Sequence, residues 1–296
     1  MKNSRLHSPW TPWLFLAPFL LTFGAFIAWP AVRSLLLSFE QTFGPKTTAF
    51  VGLANFRYLA HDPFFWTAVG NTLVFTVAAV LVQIPAALGL ALLLNRSDLR
   101  GRRFFRMIFF SPSIVGLAFV AIIFCVLFEK RLGFINGSLH QLFPAWDPDF
   151  PWLEHYVMPS LIIAQLWLSA GFYMVYFLAA LQNVPGELLD AANIDGASPW
   201  QRFRHVTLPE VRPVLNLIML LVVIGSFQLF ELPYLLYNET YGNGPENHAL
   251  TIVTYLYQTG FRSGDLGYAS AIGWLLTLVL VGFALMQRRL TQKEEL

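Results

Sequence analysis

The chain has 296 residues, 56% of them apolar and only 12% charged. An ordinary soluble domain carries about 25% charge, so a single soluble domain, a disordered chain and a collagen-like chain are all excluded. The formal net charge of +2 is too small and too scattered to point to nucleic acid, and one cysteine, Cys125, can close no intramolecular disulfide.

Crossing a hydrocarbon layer about 30 Å thick takes roughly 20 apolar residues in a helix. Six stretches qualify: residues 13–39, 67–95, 105–128, 157–182, 214–237 and 268–286. The class expected is therefore an all-α membrane protein with six spans, a single domain over residues 1–296. Lys2 and Arg5 ahead of the first run resemble the start of a secretion signal, but the run is longer than a signal's roughly 7 to 15 apolar residues and lacks a clear cleavage site. It reads as a retained helix. Pro18, Pro30, Pro85 and Pro112 lie within or near the ends of spans, where a bilayer bundle tolerates them; kinks are expected and breaks are not required.

Basic residues alternate between the connections. Lys2, Arg5, then Arg96, Arg100, Arg102, Arg103 and Arg106, then Arg202, Arg204 and Arg212, then Arg288, Arg289 and Lys293 fall on one side; only Lys46, Arg57, Lys130, Arg131 and Arg262 fall on the other. Positive charge stays inside, which places both termini in the cytoplasm. Trp66, Trp146 and Trp152 in the outer connections read as chain lying at a membrane interface.

Enzyme chemistry is thinly represented. Every histidine falls in a connection or at a span end, and no HExxH, CxxC or G-x-S-x-G element occurs, against a metalloprotease, a redox enzyme or a serine intramembrane protease. No phosphate-binding G-x-x-x-x-G-K-[ST] loop is present either, so any nucleotide that drives work belongs to another chain.

The cytoplasmic loop over residues 183–213 carries the most information. Pro185 is placed as a helix N1 proline, Glu187 and Asp190 lie in the first turns, and Gly196 stands where a glycine closes a helix. Ser198 and Pro199 then read as N-cap and N1 of a second short helix with an apolar stripe of Trp200, Phe203 and Val206, ended by Pro209 and Pro213. An interfacial hairpin on lipid is one reading. Acid at Glu187, Asp190 and Asp195 opposes it on an anionic leaflet and favours a protein partner with a groove and a basic side chain.

The run EL-L-DAANIDGA, followed by TLPEVRP, resembles the EAA signature of the integral membrane subunits of binding-protein-dependent ABC importers. GLANFRYLAHDPFFWTAVGNTLVF (52–75), GFINGSL (133–139), SFQLFELPYLL (226–236) and GYASA (267–271) resemble the MalF-like carbohydrate branch. What the resemblance implies is that the loop docks into a cleft on a cytoplasmic ATPase. Asp190 stands for the signature's glutamate, Ala191 and Ala192 for its alanines and Gly196 for its glycine. Aspartate is one methylene shorter, so a salt bridge to the ATPase must be re-aimed. The implied partners are a second, different permease chain, two ATPase subunits using ATP and Mg, an extracytoplasmic solute-binding protein and a carbohydrate. The chain itself is expected to hold no cofactor or metal and to sit, multi-pass, in the bacterial inner membrane.

For the substrate path, Glu231 is the clearest residue, because a carboxylate at mid-helix in a membrane costs about 2.5 to 3.5 kcal/mol on insertion scales; a structural pairing is its other reading. Gln228 and Tyr234, three residues to either side, are expected on the same helix face, with Phe227 and Phe230 nearby for stacking. Gln165, Trp167 and Tyr173 in the fourth span are weaker candidates. Asn71, Thr72 and Gln83 read as interhelical hydrogen-bonding groups. An ion-coupled carrier built on Glu231 and uptake of a non-sugar solute such as glycerol phosphate are the alternatives.

Overall fold

The computed structural model describes residues 10–42, 48–96 and 98–294; Lys2, Arg5 and Lys46, used for orientation, lie outside these. Two units are distinguished, residues 1–62 with 256–275 and residues 63–255 with 276–296.

In the first unit, α1 (Pro12–Leu37) is apolar apart from Thr22, Arg33 and Ser34, and its membrane-length stretch is unburied, as a helix clothed by lipid should be. Pro30 has no N–H to donate, and its ring crowds the carbonyl of Phe26. A π turn at Gly24–Ala28, in which Trp29 N–H reaches Gly24 O, widens the helix there and keeps it continuous. Strands β1 (Glu40–Thr42) and β2 (Thr48–Phe50) then pair antiparallel, with Glu40 opposite Phe50, and α2 (Ala54–His61) follows. Buried Asn55 donates to Ser38 O at 3.0 Å and to Glu40 O at 2.9 Å. The GYASA segment packs against β1 so closely that a Cβ on Gly267 would stand 1.9 Å from Glu40 O. Tyr268 donates its hydroxyl to buried Asp62 at 2.6 Å.

The second unit is built on α3 (Pro63–Asn95), α4 (Arg102–Phe110), α5 (Leu117–Leu127), α6 (Phe134–Leu142), α7 (Val157–Gln182), α8 (Gly186–Ile194), α9 (Pro199–Phe227) and α10 (Glu231–Leu236). Helix α11 (Ile252–Tyr257) and helix α12 (Leu266–Glu294) complete the chain. Helix α3 buries Ala68, Ala79, Ala87 and Ala91, and α7 buries Ala164, Ala170 and Gly171. In lipid, such small residues let backbones approach where no hydrophobic drive exists between helices. Ser169 of α7 donates to Gln83 of α3 at 2.9 Å, the interhelical role expected of Gln83. Asn71 donates to Asn247 O and Leu250 O, holding the 238–251 loop, and Thr72 accepts from the N–H of Ile252, the first residue of α11.

Among the described residues, five helices are long and apolar enough to cross a membrane, or six if the bent pair Arg102–Ile114 and Leu117–Leu127 is one span. That third span departs from expectation: its halves meet at 102°. Pro112 lacks a donor, and Val115 and Gly116 are extended (ψ 132° and 139°), so the helix breaks instead of kinking. The end of α4 is pinned by α7, since a Cβ on Gly171 would stand 1.7 Å from Phe109 O.

The outer tryptophans are packed to different degrees. Trp152 stacks on Phe128 with centroids 5.2 Å apart, and its Nε1 donates to Asn136 Oδ1 at 2.9 Å. Buried Asn136 in turn donates to Lys130 O and Phe150 O, because a buried amide must find partners. Trp66 remains 55% exposed.

Candidate functional site

The 183–213 loop forms an exposed helical hairpin. Pro185 is the N-cap of α8, one residue earlier than its expected N1 place, with Glu187 in the first turn. Gly196 has φ +75° with open space where a Cβ would stand. Its N–H donates to Asn193 O at 3.1 Å, and Ala197 N–H to Ala192 O at 2.9 Å. This pair of bonds is a Schellman ending, which requires a left-handed residue in the middle.

Ser198 opens α9 with a reciprocal capping box: its Oγ accepts from Gln201 N–H, and the Gln201 side chain accepts from Ser198 N–H at 2.8 Å. Across the turn, Arg202 Nη1 donates to Asn193 Oδ1. Neither Gln201 nor the Asn193–Arg202 clasp figured in the sequence reading, although S-x-x-Q is a legible capping-box pattern.

The second helix does not stop at Pro209 and Pro213. A π turn at Phe203–Thr207, with Leu208 N–H reaching Phe203 O, carries the helix past Pro209, so α9 runs unbroken from the hairpin to Phe227.

Glu187, Asp190, Ala191, Asp195 and Gly196 are exposed, as is Pro209, whereas Ala192 and Phe203 are half-buried. Apolar side chains stand out among them: Ile194 is 86% and Trp200 65% exposed. Large apolar groups beside three carboxylates form a surface suited to a protein groove with basic side chains.

The second group, around Glu231, is arranged differently from expectation. Helix α9 ends at Phe227; Gln228 is its C-cap and Phe230 leaves helical geometry (φ −138°, ψ −56°). Glu231 therefore begins α10 instead of sitting at mid-helix, and Gln228, Glu231 and Tyr234 do not share one helix face. A carboxylate in the first turn is favoured by the helix dipole by about 0.3 to 1 kcal/mol, which offsets only part of the cost of a charge within a membrane span. Gln228 and Glu231 are exposed and Phe227 is buried. Phe230 stacks on Tyr234 at 5.1 Å, giving an aromatic pair next to two hydrogen-bonding side chains. In α7, Tyr173 is half-buried against Phe172 at 5.6 Å, Gln165 is half-buried, and Trp167 lies edge-on to Phe124 at 5.7 Å.

A family model described as binding-protein-dependent transport system inner membrane component matches residues 83–295. The chain is 37% identical to the arabinooligosaccharides transport system permease protein AraP of Bacillus subtilis, over 95% of this chain and 88% of that one. It is 34% identical to the lactose transport system permease protein LacF of Rhizobium radiobacter, over 93% and 92% respectively. Its fold is that of a chain in a solved bacterial alginate ABC transporter in complex with alginate pentasaccharide-bound periplasmic protein, at TM-score 0.84 and 24% identity, covering 96% of this chain and 94% of that one.

Proposed function

The chain belongs to the inner membrane components of binding-protein-dependent transport systems, and on that premise we propose that it imports a neutral sugar or oligosaccharide as one of two unlike permease chains. It is a multi-pass permease of the inner membrane, the membrane component of the importer and not its ATPase, and this membership removes the ion-coupled carrier. Two ATPase subunits use ATP and Mg; an extracytoplasmic binding protein delivers the sugar.

The observation that carries the reading is the exposed hairpin on the end of α9. Its acids and apolar residues dock into an ATPase cleft, the Schellman turn and the Asn193–Arg202 clasp keep it from flexing, and α9 transmits the displacement into the bundle. At its far end, α9 breaks at Gln228. Closure there moves Gln228, Glu231 and the Phe230–Tyr234 pair together, so the sugar-facing groups change access when the hairpin moves.

The sugar reading draws on the relatives' substrates and on the chemistry of this group: aromatic faces pack against the C–H side of a sugar ring while amide and carboxylate bind hydroxyls. No Lys or Arg lies between Phe227 and Tyr237 to balance a phosphate, against the glycerol phosphate alternative. The test is ATP hydrolysis by the reconstituted transporter with its binding protein loaded in turn with neutral oligosaccharides and glycerol phosphate. Stimulation by a neutral sugar is expected; stimulation by glycerol phosphate alone overturns the substrate assignment.

A further inference from the structure

Helices α3 and α4 meet at the cytoplasmic end of the second unit around a groove of about 670 Å³ that no part of the coupling account uses. Leu90, Leu93, Phe105 and Phe109 wall it, and Arg96 and Arg100 stand at its mouth. Arg106 Nη2 donates to Leu94 O at 3.1 Å, tying α4 to the last turn of α3 and fixing the groove's width. The volume lies within the roughly 300 to 1,000 Å³ of ordinary ligand pockets.

The charged residues that line the groove are Arg96, Arg100 and a single acid, Asp98. Arg96 is engaged with Asp98, donating from Nε at 3.2 Å and Nη2 at 2.9 Å, and that side-chain hydrogen bond holds the Asp98 carboxyl below its usual range. Arg100 has no such partner among the described residues. The positive-inside rule sets this connection at the headgroup level of the inner leaflet.

We infer that this groove binds one anionic phospholipid of the inner leaflet, with an acyl chain against Leu90, Leu93, Phe105 and Phe109 and the phosphate at Arg100 and Arg96. Basic pockets between helices on the cytoplasmic side select anionic headgroups in this way. An apolar wall without the arginines would take any lipid chain, and arginines without the wall would take any soluble anion. The two side by side select a lipid that carries negative charge.

The experiment uses the assembled transporter in detergent, stripped of lipid and titrated with phosphatidylglycerol or phosphatidylcholine, with bound lipid read by native mass spectrometry. Phosphatidylglycerol affinity is expected to fall about fivefold for each of Arg96→Gln and Arg100→Gln. Leu93→Trp, at a side chain 57% exposed, fills the groove and abolishes retention with every charge in place. Asp98→Asn releases Arg96 and strengthens binding. Unaltered thermal unfolding shows that these surface variants remain folded. Equal retention of the two lipids, retention indifferent to the arginines and to Leu93→Trp, or displacement by glycerol phosphate alone each overturns the assignment. Transport activity enters none of these readouts, so the result stands apart from the fate of the sugar reading.

Discussion

Two glycines separate the kinds of constraint that act on single residues here. Gly171 is required by space, because a Cβ would lie 1.7 Å from Phe109 O and that backbone carbonyl cannot rotate away. Gly171→Ala is expected to destabilise the folded bundle by at least about 3 kcal/mol, the upper range for overpacking, read as a fall in thermal stability in detergent; unchanged stability would mean that α7 and α4 do not touch there. Gly196 is required by backbone geometry alone, since open space surrounds it and φ is +75°. Gly196→Ala therefore costs about 1 to 2 kcal/mol localised to the hairpin, and Gly196→Asn, which tolerates the left-handed region, recovers most of it. The readout is ATPase affinity: severalfold weaker for alanine and close to wild type for asparagine.

Glu231 belongs to this scale as well. Exposed at the start of α10, it is expected to act on substrate instead of holding helices together, so Glu231→Gln should lower sugar uptake about tenfold or more while leaving the amount of assembled transporter unchanged. Loss of assembly in that variant would identify a structural acid.

At the scale of elements, proline decides where helices continue and where they break. Pro30 and Pro209 each follow a π turn, at Gly24–Ala28 and Phe203–Thr207, and in both the helix survives. Pro112 is followed by extended Val115 and Gly116, and there the chain turns by 102°. Composition does not distinguish these outcomes, because packing decides them: the break after α4 is held by α7 at Gly171, a contact distant in sequence. For the same reason Pro209 misleads as a stop signal.

The π turn carries one extra residue per turn, equivalent to roughly 100° of helix rotation. Pro209→Ala restores the missing N–H and allows the ordinary turn to form, which rotates the hairpin relative to the rest of α9. The expected outcome is a folded permease whose ATP hydrolysis no longer responds to the binding protein; full coupling in that variant would show that the hairpin's orientation is set elsewhere. Ser198→Ala removes one arm of the capping box and is expected to cost about 1 kcal/mol, measured as faster hydrogen exchange over residues 198–202.

For the whole molecule, the legible part of the sequence was what repeats locally. Spans two, four and six stand close to where hydropathy put them, as Pro63–Asn95, Val157–Gln182 and Leu266–Thr291, and the hairpin's turn followed from Pro185, Gly196 and Ser198. Breaks were not legible. Gln228–Phe230 lies inside an apolar run that reads as one helix, and Glu231 looked like a mid-helix charge only because the break was unseen. Contacts between distant segments, such as Asp62 with Tyr268 or Asn136 with Trp152, had no local signal beyond the motifs that contain them.

The central claim is that the hairpin at residues 186–202 joins this permease to its ATPase. Affinity purification of the tagged chain from its native membrane, with mass spectrometry of the proteins retained, tests it directly when wild type is compared with Asp190→Arg, which puts a cation where the exposed hairpin carries a carboxylate. The account predicts that wild type brings down an ATPase subunit and a second permease, and that the substitution releases the ATPase while keeping the permease. An ATPase retained equally by both forms, or absent from wild type under mild detergent, would contradict it.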